Sequence, residues 1–254
     1  MRAGPRPATL CRMLPFLLIG AVFAIFVALA IVSYRRNQQR LATIASLCLS
    51  KGWQFLAGDP FGLPMRWPGP PFDQGYDRHA FDVVTGEVGG HPMVAFDYEY
   101  KTDSTDSEGR RTTTTHRYAV CALGMPCVLP ELSVAPEGVF SRIGQALGMQ
   151  DIELESEAFN RAYKVRCPDR KLATDVLTPR TMELLLRGEK MRFRFSGTDV
   201  VSWHDGQLQP ADLLNRTAIL AGVIDGVPSF VWKDRGLSDP PVPPSPQPSP
   251  GSLT

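Results

Sequence analysis

Histidine and cysteine are scarce in this chain, four of one and five of the other among 254 residues. Neither falls into a pattern that chemistry requires. His79, His91, His116 and His204 make no pair at metal spacing, and neither HExxH nor CxxC occurs, so a zinc site is not expected. Cys121, Cys127 and Cys167 are an odd number in the body of the chain and give no disulfide framework. Only Cys121 and Cys127, on either side of a predicted turn, could be bridged, and then in an oxidising compartment. No glycine-rich phosphate loop follows a strand, and Ser141 and Ser156 lack a GxSxG setting. The stretch Asp103 to Gly109 resembles a calcium loop only in composition. Counted from Asp103, the glycine position holds Glu108 and the closing bidentate position holds Thr114. The expectation is a chain with no metal, no cofactor and no covalent catalyst.

Acid is also missing, but only locally. The first 51 residues carry seven basic side chains and no Asp or Glu, whereas the rest carries twenty basic against twenty-six acidic, a net of −6 from Gly52 onward. A basic collar beside an acidic body suits an anionic lipid surface. It argues against a nucleic-acid partner, which needs a basic face.

What the sequence has is one long apolar run. Met13 to Tyr34 is uncharged for 22 residues; at about 1.5 Å rise per residue it reaches roughly 33 Å, enough for a hydrocarbon core. The expected arrangement is a basic tail (1–12), a transmembrane helix (13–34) and a juxtamembrane helix (35–52). The lipid bilayer is then the first partner, in a single-pass cell-membrane protein. A cleaved signal peptide, with Ala28-Leu29-Ala30 at the cut, is the alternative; the run is long for an h-region and continues past that point. Arginines flank both ends in similar number, so loop charge and the reduced-looking cysteines only favour a cytoplasmic over an extracellular domain.

Residues 53–237 read as one α+β domain, with a mainly antiparallel sheet and several packed helices. Ala57 to Arg78 is dense in Pro, Gly and aromatics and reads as an ordered lasso on the sheet. Phe81 to Val88, a Gly89-Gly90 turn and Met93 to Tyr100 form a hairpin, and Thr112 to Leu123 returns beside it. Within it Val94, Phe96, Tyr98 and Tyr100 share one face, and Asp97 and Glu99 the other. The second half alternates. Helices are expected at Glu137 to Leu147, after Ser156, after Asp169, from Pro179 to Gly188 and from Pro210 to Ile224. Strands are expected at Ile152 to Leu154, Tyr163 to Cys167, Met191 to Phe195 and Val200 to Trp203. Lys190, Arg192 and Arg194 are expected on a solvated strand face. Ser238 to Thr254 reads as a disordered Pro/Ser-rich tail.

The chain resembles the uncharacterised membrane-anchored proteins common in actinobacteria. The likeness rests on Arg35-Arg36 after the anchor, Lys51-Gly52-Trp53, Arg66-Trp67-Pro68-Gly69-Pro70-Pro71-Phe72, Val94 to Tyr98 and Glu155 to Asn160. Val176 to Pro179 with Met182 to Leu186 is similar to the end of a broader bacterial domain of unknown function. The resemblance implies one anchored domain, favours the cytoplasmic side and carries no activity. The favoured function is a membrane-tethered binding or scaffold domain, contacting lipid or a protein partner through Trp67, Phe72, Tyr76, Asp97, Glu99 and Arg117. The alternative is an envelope-associated enzyme on the polar sheet face, built from Asp97, Glu99, His116 or Arg117.

Overall fold

The computed structural model describes residues 7–138 and 150–237. The expected helix at Glu137 to Leu147 lies almost wholly outside the described residues, as do the tail beyond 237 and the first six positions. The chain divides into two compact units, Met1–Ser46 and Leu47–Thr254. The first is one helix, α1 (Pro7–Lys51), whose last turn belongs to the second unit. α1 is long and apolar enough to cross a membrane, and its side chains from Val22 to Tyr34 are exposed. Gly52, in the left-handed region, ends it, and the Trp53 amide then bonds back to the Cys48 carbonyl.

The second unit is a sheet with helices, α+β as expected. Its strands are β1 (Gln54–Gly58), β2 (Tyr76–Val88), β3 (His91–Thr105), β4 (Arg111–Gly124), β5 (Ser133–Pro136), β6 (Gln150–Ile152), β7 (Tyr163–Cys167), β8 (Phe193–Ser196) and β9 (Asp199–Asp205). They form one antiparallel sheet in the order β1-β2-β3-β4-β9-β8-β5-β7-β6. The hairpin turns at Gly89-Gly90, both at positive φ, as the turn chemistry requires. β3 and β4 run further than the sequence indicates, pairing from Met93 with Leu123 out to Thr105 with Arg111. β2 takes in the end of the stretch read as lasso. It is interrupted by two bulges, at which Asp77 and Asp82 adopt positive φ.

Register sorts the side chains. One face of β3, β4 and β9 carries Val94, Phe96, Tyr98 and Tyr100, with Val120 and Ala122, Val201 and Trp203, all buried under the lasso. Helices make up the remaining elements: α2 (Glu157–Ala162), α3 (Arg170–Val176), α4 (Pro179–Arg187), α5 (Pro210–Asp225) and α6 (Ser229–Lys233). Their starts follow local chemistry. The Ser156, Asp169 and Thr178 side chains each accept from a first-turn amide, and Pro179 occupies the position where a missing N–H does no harm. α5 buries Leu213, Leu220, Val223 and Ile224 and neighbours β4.

Two expectations are corrected. Asp97 does not lie on an exposed polar face: it is 0% exposed, because the chain entering α5 folds over it and the Leu208 amide donates to its carboxylate at 2.5 Å. The alternating basics at 190–194 are not a solvated face either. Only Lys190 is exposed; Arg194 is buried, and the Arg192 and Arg194 guanidinium groups lie over the Trp203 ring at 5.3 and 5.4 Å. A planar cation can be covered by aromatics in this way where an ammonium cannot.

Candidate functional site

The lasso is held by charge as well as by burial. Arg66 donates from Nε and Nη2 to the two Asp199 oxygens at 2.8 and 3.0 Å, and Trp67 Nε1 donates to Oδ2 at 2.9 Å. Asp199 opens β9, so its carboxylate fixes the lasso to the middle of the sheet. Trp67 and Phe72 are both buried; Trp67 stacks on Phe96 with centroids 6.0 Å apart, and Phe72 meets Tyr98 at 5.3 Å. Arg194 donates to the Pro68 carbonyl, and its guanidinium sits 5.8 Å from the Phe72 ring. Gly69 (φ 79°) passes this guanidinium so closely that a Cβ there would come to 2.8 Å from Nη1. Of the three aromatics singled out from the sequence, Tyr76 alone is exposed, and its hydroxyl donates to Asp103 at 2.9 Å.

Register settles the carboxylates. Glu99 stands opposite Arg117 and accepts from Nε at 2.9 Å and from Nη2 at 2.5 Å. His116 stands opposite Tyr100, on the other face, with its ring stacked at 4.7 Å. Of the residues of the enzyme alternative, Glu99 and Arg117 are therefore paired with each other, while His116 lies on the opposite face. Asp103 accepts from Tyr76, Thr113 and Arg111, and the Thr113 and Tyr76 hydrogen bonds hold its carboxyl below the usual carboxylate range. Among the described residues no three His, Cys, Asp or Glu side chains come together to hold a metal. Cys121 is free, and burial pushes its thiol up to about 12, so the nucleophilic thiolate is not populated at neutral pH. Cys127 is also free.

A cavity of ≈ 550 Å³ opens at the end of β9, where β4 runs on beyond it. Its wall draws on distant segments: Pro70, Pro71 and Gln74 of the lasso; Tyr100, His116 and Tyr118 of β3 and β4; Pro136 at the end of β5 and Gly138 beyond it. Lys190 to Arg192 before β8, Trp203 to Asp205 of β9 and Arg216 of α5 complete it. Arg192 donates from Nε to the Trp203 carbonyl at 2.8 Å and lies 5.7 Å from the Tyr118 ring. Burial pushes its guanidinium pKa down. Arg216 is tied to Asp212, four residues earlier, and to Glu189, each at 3.0 Å. Asp212 lies 3.2 Å from His204 Nε2 and accepts from the Gln209 amide. Burial pushes the Asp212 carboxyl up, but His204, that amide and Arg216 together outweigh it and hold it below the usual range.

Sequence reasoning missed this cavity. One signal was available: Asp212 and Arg216 form an i,i+4 charge pair beside Leu213 and Leu220, on the stripe that must face inward.

No family model matches the chain, and no curated protein matches it. Among solved structures, the chain is similar to the mycobacterial trehalose monomycolate transport factor A, TtfA, whose crystal structure superposes with a TM-score of 0.54. Identity is 12%, over 75% of this chain and 95% of that one. At that identity the likeness is one of fold, and it assigns no family.

Proposed function

We propose that this is a single-pass, membrane-tethered binding domain that serves as an accessory factor, holding a ligand rather than transforming it. The observation that carries this reading is α1, long and apolar enough to span and joined without a break to the domain. Two further points support it. Asp97 and Glu99, the carboxylates best placed in sequence for general acid–base work, each already have a partner. The fold is also shared with a protein whose name is that of a transport factor for a glycolipid, so an amphiphile with a sugar headgroup is a reasonable class of cargo.

The domain is placed on the cytoplasmic side in this reading, following the cysteine usage and the resemblance above. The test uses the full chain in cells. It is expected to remain in the membrane fraction after carbonate and high-salt washing. An impermeant maleimide is expected to label Cys127, the partly exposed domain cysteine, only after permeabilisation. A soluble species beginning near Ile31 would replace the tether with a signal peptide, and labelling in intact cells would move the domain to the outer side.

A further inference from the structure

A sheet ends on two edge strands, and each leaves a row of backbone N–H and C=O groups without a ladder partner. Proteins keep such rows from pairing with a neighbour by making the strand short or by placing charge or proline on it. The two edges of this sheet differ in that respect. β6 is three residues long and carries Asp151, paired with Arg166 at 2.7 Å. β1 is longer and has neither charge nor proline in Gln54-Phe55-Leu56-Ala57-Gly58, and it pairs with β2 alone. Among the described residues its backbone makes no hydrogen bond outside that ladder. Ala57 and Gly58 are exposed, a Cβ on Gly58 would meet nothing within 4 Å, and an open groove lined by Leu56 to Pro60 follows the strand. A second backbone has room to add to this edge.

Charge selects the occupant. Lys51 precedes the strand and Asp59 follows it, each four residues from Phe55. Lys51 is exposed and has no ion-pair partner among the described residues. The Asp59 carboxylate accepts from the Phe61 and Leu63 amides at 2.8 and 2.7 Å and meets no cation among the same residues. A second β1 laid antiparallel about Phe55 brings each lysine to the end that carries the other copy's aspartate, whereas a parallel one brings like charges together. The body as a whole, net −6 from Gly52 onward, repels a second copy, so the uncharged edge is where two copies can close. A five-residue ladder is too small to hold a dimer in dilute solution, where stable interfaces bury more than about 1,000 Å². Chains anchored in one membrane meet at a raised effective concentration, which lowers that requirement. We infer that β1 pairs antiparallel with β1 of a second copy about a two-fold axis at Phe55, making one sheet continuous through two domains. The inference rests on the tethered reading above and gives it a partner.

The test is cross-linking of the full chain in its own membranes, with Cys11 and Cys127 replaced by serine so that neither contributes. Phe55→Cys sets two thiols opposite one another across the axis and is expected to give a covalent dimer under mild oxidation, read on a non-reducing gel. Gln54→Cys, on an exposed side chain, is expected to give the same dimer with a short bismaleimide, because the two copies of this position are diagonal neighbours. Ala57→Lys charges an exposed position of the edge. Added to either reporter, it is expected to lower the dimer yield by about ten-fold with the melting temperature unchanged. Lys51→Glu, which puts like charges at both ends, is expected to lower the yield as well. Three results overturn the inference. They are no dimer from either thiol; a dimer whose yield Ala57→Lys leaves unchanged, which puts the contact elsewhere; and cross-linking into a heavier species that holds a single copy, which gives the edge to a strand of another protein. Fractionation of the same cells separates the two readings. A chain found in the soluble fraction removes the tether, whereas a membrane-retained chain that stays monomeric keeps the tether and removes the dimer.

Discussion

Asp212, Arg194 and Asp97 are charged groups withdrawn from water, and each is tolerated for a different reason. Arg194 lies on aromatic rings and a lasso carbonyl, Asp97 takes a backbone amide, and Asp212 gathers His204, Arg216 and the start of its own helix. The last has a consequence for pH. A carboxyl whose folded pKa lies below its unfolded value stabilises the fold fully above the unfolded value, near pH 4. That contribution is lost as pH falls through the lower, folded value. Asp212→Asn is therefore expected to cost about 3 kcal/mol or more at neutral pH, since it leaves Arg216 short of its partner in a buried site. It is also expected to flatten the decline in stability below pH 4. Thermal melts of both proteins across pH 3 to 7 read this directly; a mutant that declines in parallel with the wild type would show that the Asp212 cluster contributes nothing to acid sensitivity. Neither Asp97 nor Arg194 was identifiable as buried in the sequence, because their partners lie 111 and 126 residues away.

At the scale of elements, what was legible followed local rules. α4 announces itself by Thr178, Pro179 and Gly188, and it forms where they say; β7 spans Tyr163 to Cys167 as its alternation indicates. The hairpin at Gly89-Gly90 was recognised from its turn and β-branched flanks, but the reach of β3 and β4 to Thr105 and Arg111 was not, since the polar residues from Thr102 to Arg111 read as a loop, whereas Thr102 to Thr105 pair in register with Arg111 to Thr114. The lasso is the element where packing replaces ladder hydrogen bonds. Trp67→Ala in the full chain is expected to lose about 3–5 kcal/mol, the usual cost of removing a buried aromatic. A melt that overlays wild type would mean that the sheet holds its shape without the lasso.

For the molecule as a whole, α+β class and an apolar N-terminal helix were readable because each depends on composition and short-range period alone. Strand order was not: β9 inserts beside β4, and β5 beside β8, so neighbours in the sheet are far apart in the chain. The cavity shares that origin, being assembled from segments between Pro70 and Arg216 that no motif links. The Asp199 clamp joins residues 133 apart, and this gives it a place in time. Long-range contacts return nothing until the intervening chain is ordered, and Asp199 reaches its position only when β9 has paired with β4. Arg66 and Trp67 are therefore expected to seat after the folding barrier has been crossed. Asp199→Ala is expected to leave the refolding rate near wild type and to speed unfolding, as read by stopped-flow tryptophan fluorescence. Slowed refolding with unchanged unfolding would move the lasso into the nucleus. A contact made after the barrier acts on escape and not on arrival, so the expected effect of the clamp is on how long the folded domain lasts.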